Sequence, residues 1–301
     1  MFEFKNEKMA IPVVVIAGLF WSFGPLVVRY IEGAELVTWQ YLLARGLVIF
    51  ILVNAYLYFD EGLDFYKNYL KIGLSGFVGG IGLAVAMTCF ILSITQTTAA
   101  VTLLCLVAMP LMTALLGFLF LNEKIENDTW TAIIVASSGI GIMAYDSLEF
   151  GTVKGLLFGI GSAFGFSIFS VSLRWKKETP KFTTVALGGL FCFLFSLFFL
   201  IKFDLDFLSS SRNQSLFALH GSLVCLGLIL YSMGAKAVQA AELTMLSLTE
   251  VVGGIFWVWI PIMGINEIPS SNTIVGGFLI FVAIFYYSLM IKNKGRFIGL
   301  N

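Results

Sequence analysis

Two side chains in this sequence stand where ionisable groups are rare. Glu250 interrupts the apolar run Leu248-Thr249-Glu250-Val251-Val252-Gly253-Gly254-Ile255-Phe256-Trp257-Val258-Trp259, and Arg45 interrupts Tyr41-Leu42-Leu43-Ala44-Arg45-Gly46-Leu47. Both runs have the character of membrane-spanning helices, so each charge falls near mid-membrane. Placing Asp, Lys or Arg at the centre of such a helix costs about 2.5–3.5 kcal/mol on insertion scales, so these groups face a bundle interior or a wet cavity. One acid and one base at that depth can pair and lock two helices together. Alternatively, Arg45 can meet the carboxylate of a solute and Glu250 its amine, or Glu250 can carry a proton.

Further candidates sit at similar depth. Trp21 and Ser22 precede Gly24-Pro25, and a proline inside a helix removes a backbone hydrogen bond and kinks it. Carbonyls freed in the membrane are tolerated where protein or a water-filled cavity satisfies them, which marks this segment as cavity-lining. Pro110 is a second kink position. Trp257 follows Glu250 by seven residues and shares its helix face, offering a flat apolar wall to a ligand; Trp259 suits an interfacial aromatic belt instead. Phe166-Ser167 repeats the aromatic-Ser pairing of Trp21-Ser22. Tyr231 completes the set, although singly it, Gln96, Thr97 and Thr88 also suit structural hydrogen bonds. The candidate solute-binding residues are therefore Trp21, Ser22, Arg45, Phe166, Ser167, Tyr231, Glu250 and Trp257.

Other chemistries find little support. His220, the sole histidine, has no second ligand near it in sequence and makes neither a metal site nor a convincing proton relay. Cys89, Cys105, Cys192 and Cys225 form no CxxC or Cys/His spacing and read as small core residues. The chain carries no phosphate-binding loop and no loop large enough for an energy-coupling domain, so any work must come from gradients. No metal or cofactor is called for. Lys+Arg and Asp+Glu balance at 18 each, which gives no argument for nucleic acid as a partner. A lipid-modifying enzyme would need clustered His, Asp or Cys at a membrane face, and these are absent from the sequence pattern.

The elements that must hold these residues follow from composition. The chain is 59% hydrophobic and 12% charged, with a mean hydropathy of +0.95, which describes an all-α integral membrane protein. Its charged and turn-forming clusters separate ten apolar segments, near 10–29, 36–58, 71–94, 98–121, 128–145, 152–175, 182–201, 216–236, 241–263 and 272–291. Each has the roughly 17–25 residues needed to cross a bilayer. The first, preceded by Lys5 and Lys8 and lacking a small-residue cleavage site after it, reads as a retained helix and not a signal peptide. With a cytoplasmic N-terminus, thirteen Lys and Arg fall inside, among them Lys177, Lys292 and Arg296. Only Arg29, Lys154, Lys202 and Arg212 fall outside. That bias places both termini in the cytoplasm and the protein in the inner (plasma) membrane.

Ten segments divide into two halves of five, 1–146 and 147–301, and an odd number per half makes the second an inverted copy of the first. Two echoes support the repeat. Trp21-Ser22 with Arg29 seven residues beyond Ser22 matches Phe166-Ser167 with Arg174, and Asn122-Glu123 matches Asn266-Glu267. Gly151, Gly155 and Gly159, then Gly161 and Gly165, recur at the four-residue spacing that lets helix backbones approach closely in lipid.

These residues carry a resemblance. Trp21-Ser22 with Arg29, Arg45, Thr97-Thr98-Ala99-Ala100 leading to Pro110, Asn122-Glu123-Lys124, Glu250 with Trp257 and Trp259, and Glu267 with Pro269 together resemble the EamA-like branch of the drug/metabolite transporter superfamily. The resemblance covers nearly the whole chain. It implies ten helices in two inverted five-helix repeats, a cavity between the halves lined by the first, third, fourth, sixth, eighth and ninth helices, and alternating access by rocking. It also implies transport, often outward, of amino acids or other small metabolites, with protons as a candidate coupling ion, and a role for Arg45 and Glu123 in the shared fold. A carrier of nucleoside-like or drug-like aromatic solutes is the alternative. One interval departs from the pattern: Glu250 to Glu267 is about three residues longer and contains Pro261.

Overall fold

A computed structural model describes residues 7–124, 127–149, 153–176, 178–268 and 270–294; Lys5, Gly151, Pro269, Lys177 and Arg296 lie outside the described residues. The described chain is 84% helical and contains no strand. In hydrocarbon no water can satisfy an open N–H or C=O, so a segment that spans must bond its own backbone, as a helix does.

In chain order the helices are α1 (Glu7–Tyr30), α2 (Thr38–Glu61), α3 (Gly73–Ile94), α4 (Ala99–Cys105 and Met109–Leu121), α5 (Asn127–Glu149), α6 (Val153–Trp175), α7 (Lys181–Lys202), α8 (Ser211–Gly234), α9 (Ala240–Ser247 and Thr249–Trp259) and α10 (Ser271–Lys294). A 3-10 turn, Gly62–Tyr66, and a single helical turn, Lys67–Leu70, follow α2. Among the described residues eight stretches are long and apolar enough to cross a membrane, contributed by α1–α4 and α6–α9. The helices α5 and α10 hold shorter apolar runs, Trp130–Gly139 and Ile274–Ala283. The protein is a multi-pass helical membrane protein.

Three local features position the site. α4 is broken by a 3-10 turn at Leu106–Ala108 just before Pro110, which supplies no N–H to the preceding turn. α9 is broken at Leu248, where the Leu248 and Val251 amides bond three residues back, to Met245 and Leu248. No proline causes that second break; α1 presses against it. Thr249 donates to the Val15 carbonyl at 3.2 Å, and a Cβ at Gly18 would lie 2.9 Å from the Ser247 carbonyl oxygen. Elsewhere α2 meets α7 backbone to backbone, since a Cβ on Gly46 would lie 2.7 Å from the Gly189 oxygen and one on Gly189 would lie 2.9 Å from the Gly46 oxygen.

The long interval after Glu250 also has a physical account. α9 ends at Trp259, and Pro261–Met263 forms a 3-10 turn. Gly264 and Asn266 then take left-handed backbone, with φ 72 and 53, so that the Glu267 amide bonds back to the Val258 carbonyl at 2.9 Å. The extra residues loop outward and return Glu267 to the bundle, where the Tyr30 hydroxyl holds the Met263 carbonyl.

Packing follows a regular scheme. α3 lies against α6 and α7, α8 against α1 and α2, α4 against α6 and α9, and α9 against α1, while α5 and α10 pair with each other.

Candidate functional site

A cavity lies at the middle of this bundle, walled by Trp21 of α1, Arg45 of α2, Leu83, Ala86, Met87 and Phe90 of α3, Leu106 and Met109 at the break of α4, Ser162 and Phe166 of α6, His220, Val224 and Leu228 of α8, and Glu250 just past the break of α9. The centre of a water molecule can occupy about 60 Å³ of it. The walls are mostly apolar. Trp21 meets Phe166 edge to face at 5.5 Å and is held there by its indole N–H, which donates to the Val224 carbonyl at 3.2 Å.

Arg45 and Glu250 supply the charge. Arg45 is 4% exposed and Glu250 9%, and each feels the other's charge, yet they are not within ion-pair reach. The Arg45 Nε and Nη1 have no hydrogen-bond partner; the guanidinium sits over the Phe90 ring at 5.9 Å. A buried charge without a partner is among the most expensive groups a protein can hold. The cavity therefore presents a guanidinium and a carboxyl group, not paired with each other, to whatever enters it. Among the described residues no group of three or more His, Cys, Asp or Glu gathers to hold a metal.

Two polar clusters lie at the two ends of α4. At its start, Arg29 Nε donates to Glu267 at 3.0 Å, its Nη1 to the Ile94 carbonyl and its Nη2 to the Thr97 carbonyl, both at 3.0 Å. The second Glu267 oxygen accepts the Ala99 amide at 2.9 Å. At the far end of α4, Arg174 Nε donates to Glu123 at 2.7 Å and its Nη1 to the carbonyls of Ala235, at 2.8 Å, and Val238. The second Glu123 oxygen accepts the Ala240 amide at 3.2 Å. Each carboxylate thus caps the first turn of a helix, α4 or α9, where orphan amides and the helix dipole favour an anion. Both acids follow an asparagine at φ 53, Asn122 or Asn266.

Residues 8–145 match the model of the EamA-like transporter family. That match covers a little under half of the chain, and the likeness to the EamA-like transporter family rests on it. A 120-residue stretch is 31% identical to a protein of Vibrio cholerae serotype O1 named an uncharacterized transporter, covering 40% of this chain and 37% of that protein, so the match spans little more than a third of the relative's length. A solved crystal structure superposes with a TM-score of 0.70 over 95% of this chain and 99% of its own, at 18% identity. That likeness concerns the fold alone.

Of the residues singled out by sequence, Trp21, Arg45, Phe166 and Glu250 line the central cavity. The other four lie behind its walls. Trp257 donates to Ser22 at 3.0 Å and stacks on Phe23 at 4.7 Å, tying α9 to α1. Ser167 bonds the Ala163 and Met109 carbonyls at 2.8 and 3.2 Å. Tyr231, fully buried, shares a 2.7 Å hydrogen bond with Ser170. One wall residue was not readable from residue type, His220, which lies on the cavity; the second helix, absent from the walls the resemblance implied, joins them through Arg45, which its mid-membrane charge had marked.

Proposed function

We propose that the protein is a secondary transporter that carries a small zwitterionic solute of amino-acid type through the central cavity by alternating access, as an exporter or exchanger. One observation carries this reading: Arg45 and Glu250 face one apolar cavity without forming an ion pair with each other. A carboxylate against Arg45 and an amine against Glu250 would complete both, and the Trp21, Phe90 and Phe166 walls favour an apolar or aromatic side chain between them. Unloaded, Glu250 is also the residue best placed to exchange a proton.

The inverted repeat, 1–146 against 147–301, belongs to the same proposal, with α5 and α10 completing ten crossings in the inner membrane and both termini cytoplasmic. The two polar clusters support it. Ile94, Thr97 and Ala99 each lie 141 positions before Ala235, Val238 and Ala240, which do the same work in the other cluster. The packing scheme maps onto itself when each helix is exchanged for the one five places on: α3 on α6 becomes α8 on α1, and α3 on α7 becomes α8 on α2. The same 141-residue step takes Glu250 to Met109 and His220 to Gly79. These two polar cavity residues thus have no polar counterpart in the first half, as expected of groups chosen for a solute and not for the frame.

The test is thermal stabilisation of the purified protein by amino acids, betaines, nucleosides and polyamines, repeated with Glu250→Gln. Bound ligand stabilises by RT ln(1 + [L]/Kd). A zwitterion is expected to raise the melting temperature of the wild type and to fail on the variant. Stabilisation of both proteins to the same extent would remove Glu250 from the solute site. Stabilisation by nucleosides and not by zwitterions would replace the substrate class.

A further inference from the structure

Next to Arg45 the cavity wall holds a second polar group, His220. His220 is 1% exposed and lies on the cavity. Its Nδ1 is bonded to the hydroxyl of Tyr41, a side chain that is fully buried and stacked on Phe217 at 4.9 Å. A buried hydroxyl must give its proton to something, and Nδ1 is the acceptor within reach. The imidazole is then neutral with its hydrogen on Nε2. Among the described residues no hydrogen bond from that N–H is found. On α1 the ring packs against Gly24, where a Cβ would come within 2.6 Å of Nε2, so only a glycine there lets the imidazole take this place. Arg45 is its neighbour, because α8 meets α2 at the next residue: a Cβ on Gly221 would lie 3.4 Å from the Arg45 Cα. The Arg45 Nε and Nη1 are likewise unpartnered.

We propose that Arg45 and the Nε2–H of His220, held in that tautomer by Tyr41, together form a carboxylate subsite, with Glu250 across the cavity taking the amine. This rests on the zwitterion reading and adds to it the residues that recognise the acid end. Arg45 alone would attract any anion. A second, directional donor turns that attraction into recognition of a carboxylate, and Tyr41 is the positioning residue that keeps the hydrogen on Nε2. The assignment also accounts for Tyr41, which otherwise buries a hydroxyl and an imidazole together for no purpose that packing requires.

The experiment uses the full-length protein and three families of probe: L-alanine, L-leucine and L-phenylalanine, each beside its amide, which lacks the carboxylate, and its deaminated acid, which lacks the amine. Affinities come from thermal stabilisation, and the ligand-free melt of each variant shows that it folds. The wild type is expected to bind the best amino acid about 100-fold more tightly than its amide. Tyr41→Phe and His220→Asn should each cut that ratio about tenfold and leave the ratio of amino acid to deaminated acid unchanged. His220→Gln, whose amide N–H can stand where Nε2–H stood, should recover the wild-type ratio to within about threefold. Equal weakening of all three probe types, or an unchanged carboxylate ratio, would overturn the subsite and leave the zwitterion reading in place. Binding of the deaminated acids alone, lost in His220→Asn, would keep the subsite and overturn the zwitterion reading. Binding of no probe to the wild type would overturn both.

Discussion

Glutamine in place of Glu267 should loosen one end of the bundle and leave the other closed. In the wild type one carboxylate oxygen takes Arg29 Nε at 3.0 Å and the other takes the Ala99 amide at 2.9 Å. The Gln amide can keep one of these contacts, but its NH2 faces a donor at the other, so a charge-assisted bond becomes a clash of donors. Such bonds contribute about 1.5–3 kcal/mol when buried. The Arg29 and Glu267 side chains are each 24% exposed, which argues for the low half of that range, about 2 kcal/mol. Applied to an equilibrium between closed and open at that end, this is a shift of about 30-fold. The assay is side-specific thiol labelling. In a background with Cys89, Cys105, Cys192 and Cys225 replaced, Met87→Cys on the cavity wall is reacted with a membrane-impermeant reagent from each face of sealed vesicles. Glu267→Gln should raise labelling from the face that carries Arg29 and lower it from the other. Glu123→Gln should do the reverse, and the double variant should return toward the wild-type ratio. If both single variants raise labelling from the same face, or neither changes the ratio, the two clusters are not opposing closures and the reasoning fails.

Two further outcomes follow from packing and charge. Arg45→Met removes a buried, unpartnered cation and replaces it with a side chain of similar reach, so the ligand-free protein should gain about 1–3 kcal/mol and melt a few degrees higher while losing stabilisation by any carboxylate ligand; a lower ligand-free melt would mean the cation is satisfied by the fold. Gly46→Ala should cost about 1–3 kcal/mol because the added methyl meets the backbone of Gly189 and Phe193, each at 2.7 Å, where no side chain can move aside. An unchanged melting temperature would refute so close a contact between α2 and α7.

Much of the frame was legible in the sequence because a bilayer enforces simple rules. Apolar stretches marked the helices, and a charge within one marked Arg45 and Glu250 as cavity groups. The pairing of Asn122-Glu123 with Asn266-Glu267 was visible as a motif, but its partners were not. Arg29 and Glu267 are 238 positions apart, and everything else they grip is backbone, which has no sequence signature. Ser22, Ser167, Trp257 and Tyr231 were legible as mid-membrane polar groups, yet their hydrogen bonds run to neighbouring helices or their own, and only three-dimensional packing separates a hydroxyl facing a cavity from one facing a carbonyl. His220 was discounted because a single histidine suggests no metal site. Its signal was the combination of Tyr41 on another helix with Gly24 on a third, which no reading along the chain brings together.

The clusters at the two ends of α4 have a genetic consequence. Of the groups that bind Arg29 and Glu267, the Ile94 and Thr97 carbonyls and the Ala99 amide belong to the main chain, and the same holds for Ala235, Val238 and Ala240 at the other end. Most codon changes leave a main-chain group in place. Proline at 99 or 240, which would delete the bonded amide, is the exception that proves the assignment if it behaves like loss of the acid. Random mutagenesis for loss of gating, scored without regard to the solute, should therefore concentrate its hits on four codons, those of Arg29, Glu123, Arg174 and Glu267, and pass over the loops between which they reach.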